Sequence, residues 1–144
     1  LAATPEFRED QRRTVENAGI LAAELSARGG RLIAGGTDNH LMAVDVTAFG
    51  VTGRGAERLL DEVGITVNKN TIPFDPNPPN VASGIRIGTP AATTRGFGAA
   101  EMREIGRLIV GSLTSRDEPA EQARIAAEVR GICGRFPVPG LPEA

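Results

Sequence analysis

Near the start of the chain, apolar residues recur at helical spacing. Val15, Ala18, Leu21, Ala22 and Leu25 lie three or four positions apart, the mark of a helix with one face turned to a core. Thr4-Pro5-Glu6 opens that helix: threonine caps, proline suits the first turn, and glutamate meets the positive end of the dipole. Gly29-Gly30 stops it. The period then changes. "RLIA" and "HLMAVDV" read as two short strands around a "GGTDN" turn. Thr52 caps a second helix through Leu59, Leu60 and Val63, which ends at Gly64, and "ITVN" reads as a further strand. From Lys69 to Asn80 four prolines and no periodicity predict a rigid irregular loop. "SGIRIG" is the next strand. Met102, Ile105, Leu108, Ile109 and Leu113 give a long amphipathic helix, and Pro119 starts a last one with Ile125, Val129, Ile132, Cys133 and Phe136 on one face. The order predicts an α/β chain of the α+β sandwich kind, a small sheet covered by helices.

A length of 144 residues fits one domain spanning 1–144. A lead-in helix occupies 1–30, the sheet and its helices 31–136, and a tail 137–144. Net charge is −2, with no Trp and no Tyr, so neither a basic face nor stacking rings offer themselves to nucleic acid. No apolar run approaches the ~20 residues of a membrane span, and no basic, apolar leader is visible at the N-terminus. One cysteine, Cys133, cannot form an internal disulfide, which fits a reducing, cytoplasmic setting. The chain starts at Leu1 and not at methionine, which points to a fragment or a processed chain.

Candidate chemistry is sparse. His40 is the only histidine, and Asp38 and Asp45 beside it follow no ligand spacing, so no metal site is expected. "TDNH" reads as a turn in which Asp38 and Asn39 bond to backbone. "RGFGAAE" lacks the third glycine of a dinucleotide fingerprint and reads as a helix start. Cys133 belongs to an apolar helix face and reads as core. Two features stand apart. Arg86 sits between Ile85 and Ile87 on a strand, and its charge cannot be removed; it either points to solvent or meets an anion. "VNKN" sends Asn68, Lys69 and Asn70 into the proline loop, and asparagine amides can read a donor–acceptor edge. Lys69 is the sole lysine among sixteen basic residues.

Long collinear stretches carry a resemblance. "GGTDNHLMAVDV", "GITVNKNTIPFDP" and "SGIRIGTPAATTRGFG", with "TPEFREDQRRTVENA" at the start and "EVRGICGRFPVPG" near the end, resemble the C-terminal part of the serine (glycine) hydroxymethyltransferase family. The resemblance implies a fold-type I enzyme dependent on pyridoxal 5'-phosphate. Such an enzyme reversibly moves the hydroxymethyl carbon of serine onto tetrahydrofolate, giving glycine and 5,10-methylenetetrahydrofolate. It implies that Arg86 clamps the substrate carboxylate and that Asn70 contacts the folate. It implies a large domain as partner, in a parent that is a homodimer or homotetramer, with no nucleic acid or membrane involved. The family's cofactor lysine, phosphate-binding residues, ring-stacking histidine and acid–base glutamate belong to that large domain and match nothing in this chain. The chain should therefore carry part of a site, no catalytic residue and no activity alone. Two other readings stay open: a stand-alone, non-catalytic binding domain, and a chain in which Lys69 itself carries the cofactor.

Overall fold

The computed structural model describes residues 2–140; Leu1 and the last four residues of the expected tail lie outside the described residues. The chain begins with helix α1 (Pro5–Ala27). Its cap forms as the residues dictate, with the Phe7 N–H donating to Thr4 Oγ1 at 3.3 Å. Past its end, the Gly30 N–H donates to the Leu25 carbonyl at 2.8 Å, and Gly29 takes φ +91°, which glycine allows without strain. Strands β1 (Arg31–Leu32) and β2 (Leu41–Asp45) follow, then helix α2 (Gly53–Glu62), β3 (Asn68–Asn70) and β4 (Gly84–Gly88). Helices α3 (Pro90–Thr94), α4 (Ala99–Thr114) and α5 (Pro119–Arg135) complete the order. The four strands form one antiparallel sheet ordered β1-β2-β4-β3. Helices α1 and α2 lie against it, α4 packs on both, and α5 packs on α4. This is the α+β arrangement expected.

The core is closed by elements of this chain alone. Met42, Val44, Ile85 and Ile87 point from the sheet into Leu21 and Leu25 of α1, Leu60 of α2, Leu108 and Ile109 of α4, and Ile125 of α5. Burying side chains of this size gives about 1.5–3 kcal/mol each. Gly106 of α4 lets α1 approach: a Cβ there would sit 2.6 Å from Cγ of Glu24.

Four expectations need correction. The strand predicted at "ITVN" lies further on, at Asn68–Asn70, so Lys69 and Asn70 belong to the sheet and not to the proline loop. Pairing with β4, with Asn68 opposite Arg86 and Asn70 opposite Gly84, fixes that register. Val15 is 41% exposed, and Thr14 is buried in its place. The helix is rotated around Asn17, whose Nδ2 donates to Thr93 Oγ1 and to the Phe97 carbonyl, both at 2.9 Å. Thr14 is carried inward with its hydroxyl left without a hydrogen-bond partner, while its backbone carbonyl accepts from Thr89 Oγ1 at 2.7 Å. The "TPAATTR" segment contains the short helix α3, which has no apolar period to announce it. In the "TDNH" turn the bonds come from Asn39 and Thr37: the Leu41 N–H donates to Asn39 Oδ1 at 3.0 Å and Thr37 Oγ1 to the Leu41 carbonyl at 2.6 Å. The Asp38 carboxylate takes no part in these bonds.

Candidate functional site

Strand alternation gives the sheet two unlike faces. Ile85 and Ile87 point to the helices, and Arg86 between them is exposed on the other side. Its neighbours on that open face are small or polar. Ala43 of β2 stands opposite on one side and Asn68 of β3 on the other, and Gly84 and Gly88 lie two residues away along the same strand. Arg86 makes no ion pair or hydrogen bond with any described side chain, unlike Arg31 on the same sheet, which pairs with Asp45 at 3.0 Å. A cavity of about 340 Å3 opens at Arg86, walled by His40, Leu41, Thr66, Asn68 and Gly88. A fixed guanidinium in a small polar hollow can receive a carboxylate through two parallel N–H···O bonds.

The other candidates are placed as follows. Asn70 shares the open face with Arg86 but sits at the far end, opposite Gly84. Its amide donates to the Thr71 carbonyl at 2.8 Å. Asn68 is the asparagine that lines the cavity. The sequence singles it out with Lys69 and Asn70 but gives it no role, because alternation along "NKN" puts the two asparagines on one face and Lys69 on the other, and only the pairing with β4 says that the asparagine face is that of Arg86. Lys69 does lie opposite. Its ammonium is 3.5 Å from Glu57 of α2, and its backbone N–H donates to the same carboxylate at 3.0 Å. The only lysine is thus engaged on the helix side, away from the cavity, so the residues present do not fit covalent attachment of pyridoxal 5'-phosphate. His40 is exposed, and its carbonyl accepts from the Thr89 N–H at 3.0 Å. Among the described residues no group of three or more His, Cys, Asp or Glu could hold a metal ion, and no helix is long and apolar enough to cross a membrane. Cys133 is half-buried against the core. Gly98 starts α4 as expected, with its N–H donating to Glu101 Oε2 at 2.9 Å.

The loop after β3 returns over the open face. The Ile72 side chain lies where a Cβ on Gly84 would be, 2.8 Å from it. Asp75 holds this loop. Its Oδ1 accepts from the Asn77 N–H at 2.9 Å and Ser83 Oγ at 2.5 Å, and its Oδ2 from the Ile72 and Ser83 N–H groups at 3.1 and 2.9 Å. Burial works to raise the carboxyl's pKa, but these hydrogen bonds outweigh it and hold the pKa at about 2. The loop's end also caps α2, whose Gly53 and Arg54 N–H groups donate to the Ala82 and Val81 carbonyls.

The family model described as serine hydroxymethyltransferase matches residues 1–109. A serine hydroxymethyltransferase of Rippkaea orientalis is 47% identical over 144 residues, which is 99% of this chain and 34% of that protein. One of Crocosphaera subtropica is 47% identical over 137 residues, covering 95% of this chain and 32% of that protein. The chain spans about a third of the length of these relatives. The family model over residues 1–109 and the 47% identity to these relatives across nearly all of this chain together establish that the chain belongs to the serine hydroxymethyltransferase family.

Proposed function

We propose that this chain is the C-terminal domain of a serine hydroxymethyltransferase and that Arg86 binds the carboxylate of the amino-acid substrate, serine or glycine. The observation that carries this is the uncompensated guanidinium on the open sheet face, cleared by Ala43, Gly84 and Gly88. A bidentate pair fixes two substrate oxygens, and so fixes the orientation of the bonds at its α-carbon. Asn70, on the same face, is assigned to the folate substrate; its carbonyl oxygen is left to accept from a pterin edge while its amide is held by Thr71. Asn68 is the nearer asparagine to the amino acid and flanks the carboxylate.

When bound, pyridoxal 5'-phosphate supplies the electron sink for bond changes at the amino-acid α-carbon. Its attachment belongs to the remainder of the polypeptide, the large domain, because Lys69 is held by Glu57. The 144-residue chain alone accordingly binds and positions, and does not transfer. The family resemblance assigns the parent to a homodimer or homotetramer and to the cytoplasm.

The test uses the longer enzyme. Arg86→Ala weakens serine binding by about 2–5 kcal/mol, the scale for removing one partner of a desolvated charge pair, and Arg86→Lys restores only part of it because a point charge cannot make two parallel bonds. Unchanged serine affinity in Arg86→Ala would sink the assignment. Serine-to-glycine turnover by the purified 144-residue chain would sink the division of labour.

A further inference from the structure

Two residues other than glycine adopt positive φ among those described, Phe74 at +57° and Ala82 at +58°, and both lie in the loop between β3 and β4. Ala82 is buried and its carbonyl caps α2, so its conformation has an internal use. Phe74 has none. It is 102% exposed, touching nothing in the chain, and it stands where glycine or asparagine would relieve the backbone. The loop is not slack. Asp75, the next residue, fastens it through four hydrogen bonds to Ile72, Asn77 and Ser83, and Pro73 and Pro76 flank the pair. A strained backbone that rigid surroundings hold in place points to a use for the side chain it presents. Here that side chain is a phenyl ring held out into water.

What covers the ring follows from the two faces of the sheet. The helix side is filled by α1, α2 and α4. The face bearing Arg86 is uncovered, and the Phe74 loop leans over its Gly84 end through Ile72. The relatives carry about two thirds of their length beyond the part this chain matches. We propose that Phe74 is a docking knob that inserts into an apolar socket on that remaining portion of the family's polypeptide, fastening it over the open face. The inference rests on family membership and on the loop, and not on the carboxylate assignment; a failure of Arg86→Ala to alter serine binding leaves it standing.

The chain contains no tryptophan, which gives a direct readout. Phe74→Trp is placed in this chain alone and in the longer polypeptide, made by substituting this chain for the matching third of the Rippkaea orientalis relative. In the chain alone, the indole emits as in water and iodide quenches it freely at every protein concentration. In the longer polypeptide the emission added by the introduced indole shifts to the blue and iodide quenching falls severalfold. Quenching that stays as high as in the chain alone overturns the proposal. Shielding that grows with concentration in the chain alone assigns the knob to a second copy, and shielding that arises only when 5-formyltetrahydrofolate is added assigns it to the folate; either also overturns it. Phe74→Gly gives the second arm. It leaves the unfolding midpoint of the chain alone unchanged or raised and lowers that of the longer polypeptide; equal effects on both refute the docking role.

Discussion

Residues 85 and 86 are neighbours in sequence and occupy opposite worlds. Ile85 is fully buried among helices, while Arg86 looks out over alanine, asparagine and glycines. The helix face of the sheet holds the fold together and the open face contributes little to it. A single β-strand thus separates a stabilising face from an open, charged one by nothing more than the alternation of its side chains. The same split recurs in β3, where Lys69 secures the strand to α2 and Asn68 and Asn70 face outward.

Substitutions can try that separation. The largest effect is expected of Ile85→Ala, which removes most of a fully buried side chain and destabilises this chain by about 2–5 kcal/mol in denaturant unfolding. Next comes Gly53→Ala at the start of α2. The added Cβ would lie 2.3 Å from the Gly84 carbonyl oxygen, a backbone atom that cannot step aside without moving β4, and a loss of about 1–3 kcal/mol follows from such overpacking. Here the helix side reaches through to the strand that carries Arg86, so cavity geometry should change along with stability. A pH series sharpens the contrast at the loop. Asp75 has a folded pKa near 2, below the ordinary aspartate value of about 3.9. Its contribution is present above pH about 4 and is lost as pH falls toward 2; Asp75→Asn removes that part of the acid sensitivity, as thermal midpoints across the range would record. The smallest effect is expected of Arg86→Ala on folding, within about 0.5 kcal/mol. A loss comparable to that of Ile85→Ala would show that the open face is structural after all.

Much of this was legible in the residues. Thr4, Thr52, Gly98 and Pro119 mark helix starts that the structure retains, because caps and proline act within a few residues of chain. Period-two alternation located β2 and β4 for the same local reason. What could not be read depends on distant partners. The position of β3 is set by pairing with β4 after a loop whose return is fixed by Asp75 and Ser83, eight residues apart. The rotation that buries Thr14 in place of Val15 depends on Thr89 and Thr93, more than seventy residues away. At the site, Arg86 was visible as a charge on a strand, whereas the place of Asn68 beside it required the register.

The grip of Glu57 on Lys69 reaches beyond the question of which lysine could carry a cofactor. Strand β3 is one edge of the sheet, and an edge strand offers its free backbone N–H groups to any passing chain. The Lys69 N–H is already occupied by the Glu57 carboxylate, and the ammonium keeps that carboxylate in place. At the opposite edge, β1 is only two residues long. A sheet with one rim sealed by a helix side chain and the other too short to template a partner resists growing by accretion of strands.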